Sequence, residues 1–512
     1  MMDKKEDFKK TAHNPRILIV TPEITYLPKG MGNMANYLKA KAGGLADVSA
    51  SLVSALFNLG ADVHVALPHY RRMFNIDIGK LINGELRSFK KVLPDSRIHL
   101  AQDRIFYYRE QIYSNYYAES HKVALAFQRE VINNIIPNVN PDLIHCNDWM
   151  TGLIPAMSRR MGIPCLFTVH NIHTQELTLE EIENSGIDAA EFWSYLYYKY
   201  ATGSYEETRW SNPVDLLASG IFAAHFVNTV SPKFLKEICE GQHTVVPYNV
   251  RSELKNKDNA GCAFGILNSP DPSFDPETDE LIECRYSAKT HVEGKKKNKR
   301  SMQERLGILV DESAPVFFWP SRLDPFQKGC QLLADIFYQI ISSYWKDNLQ
   351  IVVVTGGPYM NVFAEIVQFH GFHERVALCD FDEELSHLCY AASDFIFMPS
   401  LFEPCGLPQM ISTRYGSLPI VNDTGGLHDT VSHLDVKSNR GNGFVFRVYN
   451  SQGFRWAIDR AMDFYHLPGK IKEAQIARVM KESAKTFNPS VTARNYFDLY
   501  EKMLKRPIIK TY

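Results

Sequence analysis

The sequence reads as an α/β protein built from two doubly wound domains, and three observations carry that reading. Short apolar runs of four to six residues recur along the chain, among them Arg16–Thr21 (RILIVT), Val63–Leu67 and Pro164–Val169. Such runs suit parallel strands buried on both faces. Several of these runs end in a turn rich in glycine or polar residues and lead into a helical stretch, the unit of a doubly wound sheet. The same succession starts again near Pro315, and 512 residues are enough for two large cores.

In chain order, Arg16–Thr21 is a strand closed by Pro22, and a loop follows to Lys41-Ala-Gly-Gly-Leu45. Leu45, Val48, Leu52 and Leu56 mark one face of a helix, and Val63–Leu67 is the next strand. Lys41, Gly43 and Gly44 thus stand at a helix amino end, where backbone N–H groups and a cation can hold a phosphate. Gly30-x-Gly32-x-x-Ala35 matches a dinucleotide fingerprint, but lies about nine residues beyond the strand instead of on the strand–helix turn. Pro141–Cys146 is a strand followed by Asn147-Asp148-Trp149, and Pro164–Val169 delivers His170-Asn171-Ile172-His173. Ligands bind at such carboxyl edges, which makes Asp148, His170 and Asn171 site candidates. Asp148, His170 and His173 supply no convincing third close ligand for a metal. The aromatic, polar stretch Tyr195–Asn212 suggests a helix.

Gly265–Asn268 and the Pro- and Asp-rich stretch through Asp279 read as an interdomain linker. The cationic run Lys295–Arg300 reads as a solvated helix face. Beyond it come a strand from Pro315 to Trp319, the loop Ser321–Gly329 with Arg322 and Lys328, and a helix to about Tyr344. Leu349–Thr355 and Arg375–Cys379 are further strands, the second followed by Asp380-Phe381-Asp382. Three residues of that kind are a weak metal signal. Asp394–Met398 precedes the turn PSLFEPCGLPQ, and Pro408 suits a first helical turn. Glu403 then lies between a strand end and a helix start, fit for ligand hydroxyls. The small Cys405 and Gly406 let backbone N–H groups approach an anion. Arg322 and Lys328 suit a leaving diphosphate. Leu418–Val421 leads to a further glycine turn at Thr424–Thr430, and helices from Ser451 and Pro489 end the chain.

The composition, 45% hydrophobic and 22% charged with a net charge of -2, gives no sign of a nucleic-acid or membrane partner. Nine cysteines without a Cys-x-x-Cys pair suggest reduced thiols. The polar start MMDKKEDFKKTAHNPR lacks the apolar core of a signal peptide, and no apolar run approaches the ~20 residues needed to cross a bilayer. The expected home is the cytoplasm.

Eight motifs, in order, make the chain resemble the retaining glycogen and starch synthases. They are KAGGLADV (Lys41–Val48), HCNDW (His145–Trp149), VHNIHT (Val169–Thr174), VSP (Val230–Pro232), GILN (Gly265–Asn268), SRL…QKG (Ser321–Gly329), FEPCGLPQ and GGLHDTV (Gly425–Val431). The resemblance implies a GT-B fold with two Rossmann-like domains facing a central cleft. It implies domains at 1–267 and 268–488, with 489–512 as a carboxyl-terminal helix packing back on the first.

It also implies transfer of glucose from ADP-glucose, or UDP-glucose, to the non-reducing end of an α-1,4-glucan, with no metal or other cofactor. Lys41 would contact the donor from the first domain, and Arg322 and Lys328 would neutralise its diphosphate with the N–H groups of Gly406 and Leu407. Glu403 would hold the glucose hydroxyls, Cys405 would line their pocket and Phe381 would stack on the base. The His170 carbonyl would face charge developing at the anomeric carbon. About a dozen extra residues precede the glycine pair, so Lys29 rivals Lys41. Arg322 and Lys328 are one residue further apart than is usual, Leu401 stands where arginine is common, and Ser269-Pro270 replace a Gly-containing turn. The competing readings are a glucan-binding regulator with an altered site and a GT-B glucosyltransferase with another acceptor.

Overall fold

The computed structural model describes residues 14–74, 96–113 and 117–509. Most of the polar amino-terminal stretch lies outside the described residues. The chain forms two compact units. The first holds Met1–Asn228, Val246–Phe264 and Ala493–Tyr512, and the second holds Thr229–Val245 and Gly265–Thr492. An unbroken first domain through residue 267 is thereby corrected, since Thr229–Val245 belongs with the second unit.

The first unit's strands are β1 (Arg16–Val20), β2 (Asp62–Pro68), β3 (Ile98–Ala101), β4 (Leu143–Asn147) and β5 (Cys165–Val169). After a small antiparallel pair, β6 (Glu176–Leu177) and β7 (Val214–Asp215), come β8 (Phe226–Thr229) and β9 (Ala263–Gly265). The large sheet has the order β3-β2-β1-β4-β5-β8-β9, with β1 parallel to both β2 and β4. Strands β1, β4 and β5 are almost wholly buried, which is why their sequences show continuous apolar runs instead of alternation. The helix Pro489–Leu504 contributes Tyr496 and Tyr500, whose hydroxyls meet Asn228 Nδ2 at 2.9 Å and His145 Nδ1 at 2.7 Å.

The second unit's sheet holds β10 (Val316–Trp319), β11 (Gln350–Val354), β12 (Val376–Cys379), β13 (Phe395–Met398), β14 (Leu418–Asn422) and β15 (Phe444–Phe446). Its order is β12-β11-β10-β13-β14-β15, and every neighbouring pair is parallel. One apolar cluster, with Phe317, Phe397, Leu333 and Ile458, packs one set of helices, and a second, with Phe318, Tyr390 and Ile411, packs the others.

Three expectations change. The linker is packed structure: Asp279 is buried and accepts from Tyr415 Oη at 2.5 Å and from His387 Nδ1 at 2.8 Å, while Asp275 pairs with Arg414 at 2.5 Å. The cationic run lies on the helix His291–Leu306, but only part of it is solvated. Lys295 is buried and its Nζ donates to the carbonyls of Ala391, Ser393 and Tyr415, and Lys299 reaches Asp394 at 2.7 Å. The helix in the aromatic stretch covers only Tyr205–Ser211, and the sequence reading also passed over the helix Gly469–Thr486.

Candidate active site

In the second unit the strand order reverses between β10 and β13, and the carboxyl ends of such a pair form the crevice where open α/β sheets bind ligands. The loop after β10 carries Arg322 and Lys328, and the turn after β13 carries Glu403. Lys328 Nζ donates to Glu403 Oε2 at 2.6 Å, and Ser400 Oγ donates to the same oxygen at 3.0 Å. Both partners are sunk, with side chains 15% and 6% exposed, so removing either strands a charge at a cost of ~3–5 kcal/mol. The two loops are tied by Leu401 N–H donating to the Gln327 carbonyl at 2.8 Å. Gly329 allows this approach: its φ is +75°, and a Cβ there would lie 2.2 Å from the Pro399 carbonyl oxygen. Arg322, on the same loop as Lys328, is exposed.

The turn continues into the helix Pro408–Arg414, with Leu407 at its cap. Gln409 Nε2 donates to the carbonyls of Cys405 and Gly406 and to Thr430 Oγ1, each at 3.0 Å, which holds the turn rigid. Burial pushes the Cys405 thiol up to about 12, so it is a small neutral wall and not a nucleophile. Phe381, 66% exposed, follows β12.

The glycine turn at Gly425 is already filled. Glu237, on the helix Pro232–Cys239, accepts from Gly425 N–H at 3.0 Å and Thr424 Oγ1 at 3.2 Å, and pairs with His243 at 2.8 Å. Burial opposes the charge on Glu237, but the bonds from His243 and Gly425 outweigh it and hold the carboxyl below its ordinary range.

In the first unit the order reverses between β1 and β4. Glu23, just past β1, is buried and accepts from Ala42 N–H at 2.7 Å, Gly43 N–H at 3.0 Å and Tyr113 Oη at 3.1 Å. In the stretch read as a phosphate cradle, the N–H groups of Ala42 and Gly43 therefore already hold the chain's own carboxylate. Gly44 begins the helix Gly44–Asn58, and Lys41 Nζ pairs with Asp47 at 2.9 Å. Lys29 is exposed and opens a short 3-10 turn whose Met31 is buried.

Asp148, with φ +57°, follows β4, and its Oδ1 accepts the N–H groups of His170 at 2.7 Å and Asn171 at 3.3 Å. Burial, with the nearby charge of Glu23, pushes the Asp148 carboxyl up to about 7 against those bonds. Glu23 is raised as well, chiefly by burial. His170 Nε2 meets Asn147 Oδ1 at 2.9 Å, and burial lowers the imidazole to about 3, so it is neutral. Asn171 Oδ1 accepts from the Ile172 N–H at 2.7 Å. Among the described residues no group of three or more His, Cys, Asp or Glu is placed to hold a metal ion.

The structure thus gathers Lys328, Glu403, Cys405, Gly406 and Leu407 in one unit, with Arg322 on the adjoining loop, and Gly43, Asp148, His170 and Asn171 around Glu23 in the other. Sequence reasoning missed Glu23, Tyr113, Asn147 and Ser400 as site members. The position of Glu23 directly beyond β1 is a signal that could have found it.

Two doubly wound units, one with a lysine–glutamate pair at its strand reversal, define a glycosyltransferase of the GT-B fold. Residues 16–246 match the model of the starch synthase catalytic domain, and residues 314–463 match glycosyl transferases group 1. The glycogen synthase of Exiguobacterium sibiricum is 34% identical over 83% of this chain and 89% of its own length. That of Moorella thermoacetica is 32% identical over 96% of this chain and 97% of its own. The catalytic domain of starch synthase IV from Arabidopsis thaliana, solved with ADP and acarbose, superposes with a TM-score of 0.77 at 26% identity, covering 96% of this chain and 100% of that one. Sucrose-phosphate synthase from Thermosynechococcus elongatus, at 17% identity and a TM-score of 0.57, shares the fold. The chain belongs to the glycogen and starch synthase family.

Proposed function

We propose that the protein transfers glucose from ADP-glucose to the non-reducing end of an α-1,4-glucan with retention at the anomeric carbon. The observation that carries this reading is the buried Lys328–Glu403 pair, a cation and a carboxylate held for one ligand bearing both phosphate and hydroxyls. Arg322 and Lys328 offset the charge that grows on the departing diphosphate, with the N–H groups of Gly406 and Leu407. Glu403 accepts from the glucose hydroxyls, Cys405 lines their pocket and Phe381 stacks on the base. In the first unit the His170 carbonyl faces the anomeric carbon, and the neutral imidazole adds no opposing positive charge. Asp148 and Asn171 serve sugar hydroxyls, and Lys41 serves the donor. The bond from C1 to the diphosphate breaks as an acceptor hydroxyl attacks from the same face, and its proton passes to the leaving phosphate oxygen.

No metal or other cofactor takes part in this scheme, so a chelator should leave turnover unchanged. The ADP ligand of the Arabidopsis relative favours ADP-glucose over UDP-glucose. Nine thiols free of disulfides favour a reducing compartment, the cytoplasm. No helix among the described residues is long and apolar enough to cross a membrane. The test is nucleotide release from ADP-glucose and UDP-glucose, each with and without glycogen. Glycogen-dependent release of ADP is expected. Binding of glycogen without release from either donor would instead support the regulator.

A further inference from the structure

Beside β15, the edge strand of the second unit, runs a groove of about 670 Å³, within the range of roughly 300–1,000 Å³ usual for ligand sites. Its lining includes Asp423, His428, His433, Val445, Arg447 and Trp456, none of which takes part in the transfer described above. The helix Gly425–Thr430 has one end on the Glu403 turn, where Gly426 N–H meets the Glu403 carbonyl at 2.9 Å, and supplies His428 to the groove.

Two features define what the groove fits. Trp456, 47% exposed, lies nearly parallel to the His433 ring, with centroids 5.5 Å apart and planes at 23°. His433 Nδ1 accepts the Val445 N–H at 3.2 Å, which locks the imidazole and leaves its proton on Nε2 as a donor. Asp423 is bracketed by His428 Nδ1 at 2.5 Å and Arg447 Nε at 3.2 Å, so the carboxylate and the guanidinium offset one another. An anion would meet Asp423 and a cation would meet Arg447. A neutral ring with an apolar C–H face and equatorial hydroxyls matches both the aromatic platform and the planar hydrogen-bonding groups.

We propose that this groove is a second carbohydrate site that holds a stretch of α-1,4-glucan apart from the reacting chain end. The identity of the sugar rests on the glucan reading above. A site that holds the polymer raises the local concentration of chain ends, so its loss acts on long acceptors and spares short ones.

Electrophoresis through gels containing glycogen and nucleotide release with glycogen or maltotetraose test this together. Trp456→Ala should lose most of the retardation by glycogen and raise the apparent KM for glycogen about tenfold, with kcat and the maltotetraose KM unchanged. Arg447→Ala, at a side chain 85% exposed and therefore harmless to folding, should shift the same values in the same direction by less. Glu403→Ala should still be retarded. Retardation and glycogen KM equal to wild type in both groove variants would overturn the proposal. Absence of nucleotide release from the wild type would count against the glucan synthase, while the gel still reads the groove.

Discussion

The two strand reversals use the same architecture for opposite electrostatics. In the second unit a carboxylate and a lysine meet at 2.6 Å, with an exposed arginine on the same loop. In the first unit the reversal carries two carboxylates, Glu23 and Asp148, and both are raised because burial has no cation to offset it there. A diphosphate suits the first arrangement and would be repelled by the second. Hydroxyls suit both. A glycine turn at a helix start does not by itself make an anion site: at Gly43 and Gly425 the chain has already supplied the anion, from Glu23 and Glu237.

The largest expected effect breaks the cationic side. Glu403→Ala or Lys328→Ala should lower turnover by ~10²-fold or more, the scale of one preorganised transition-state contact. Near-wild-type turnover in both would remove the pair from the site. Next, Lys41→Ala should cost about fivefold in kcat/KM, as loss of one screened charge contact of ~1 kcal/mol allows. Lys29→Ala should leave kcat/KM unchanged, and the reverse result would reassign the donor lysine.

Within the acidic reversal, Glu23→Ala should expose the Ala42 and Gly43 amides, raising their hydrogen-exchange rates by about tenfold or more, in line with ~1.5–3 kcal/mol per charged hydrogen bond. Unchanged rates would mean that the carboxylate does not hold that loop. The last effect is one of pH. A carboxyl raised from 3.8 to about 7 keeps its proton in the folded state, so its stabilising contribution is present at low pH and lost as pH climbs through that window. Asp148→Asn should therefore flatten the fall in Tm between about pH 4 and 7. A slope identical to wild type would assign the titration to another group.

Much of this was legible beforehand. The apolar runs ending at Cys146, Val169 and Met398 announce buried parallel strands, and the turns that follow them carry Asp148, His170 and Glu403. What could not be read was who satisfies whom. Glu237 meets Gly425 across 188 residues, and no local periodicity encodes that. Lys295 and Lys299 look solvated because charge usually is, but their Nζ groups reach backbone carbonyls that the sequence does not show. Asp279 sits in a Pro- and Asp-rich stretch typical of a linker, and only the fold reveals Tyr415 and His387 waiting for it.

The chain passes between the two units at residues 228, 245, 264 and 492, so the first unit is finished by a segment made after the whole of the second. His145, in its central sheet, bonds a tyrosine 355 positions later. On the ribosome the second unit has all its strands while the first still waits, its buried His145 and Asn228 without their tyrosines. A chain arrested between the two would therefore expose the older unit, not the younger, to chaperones and proteases.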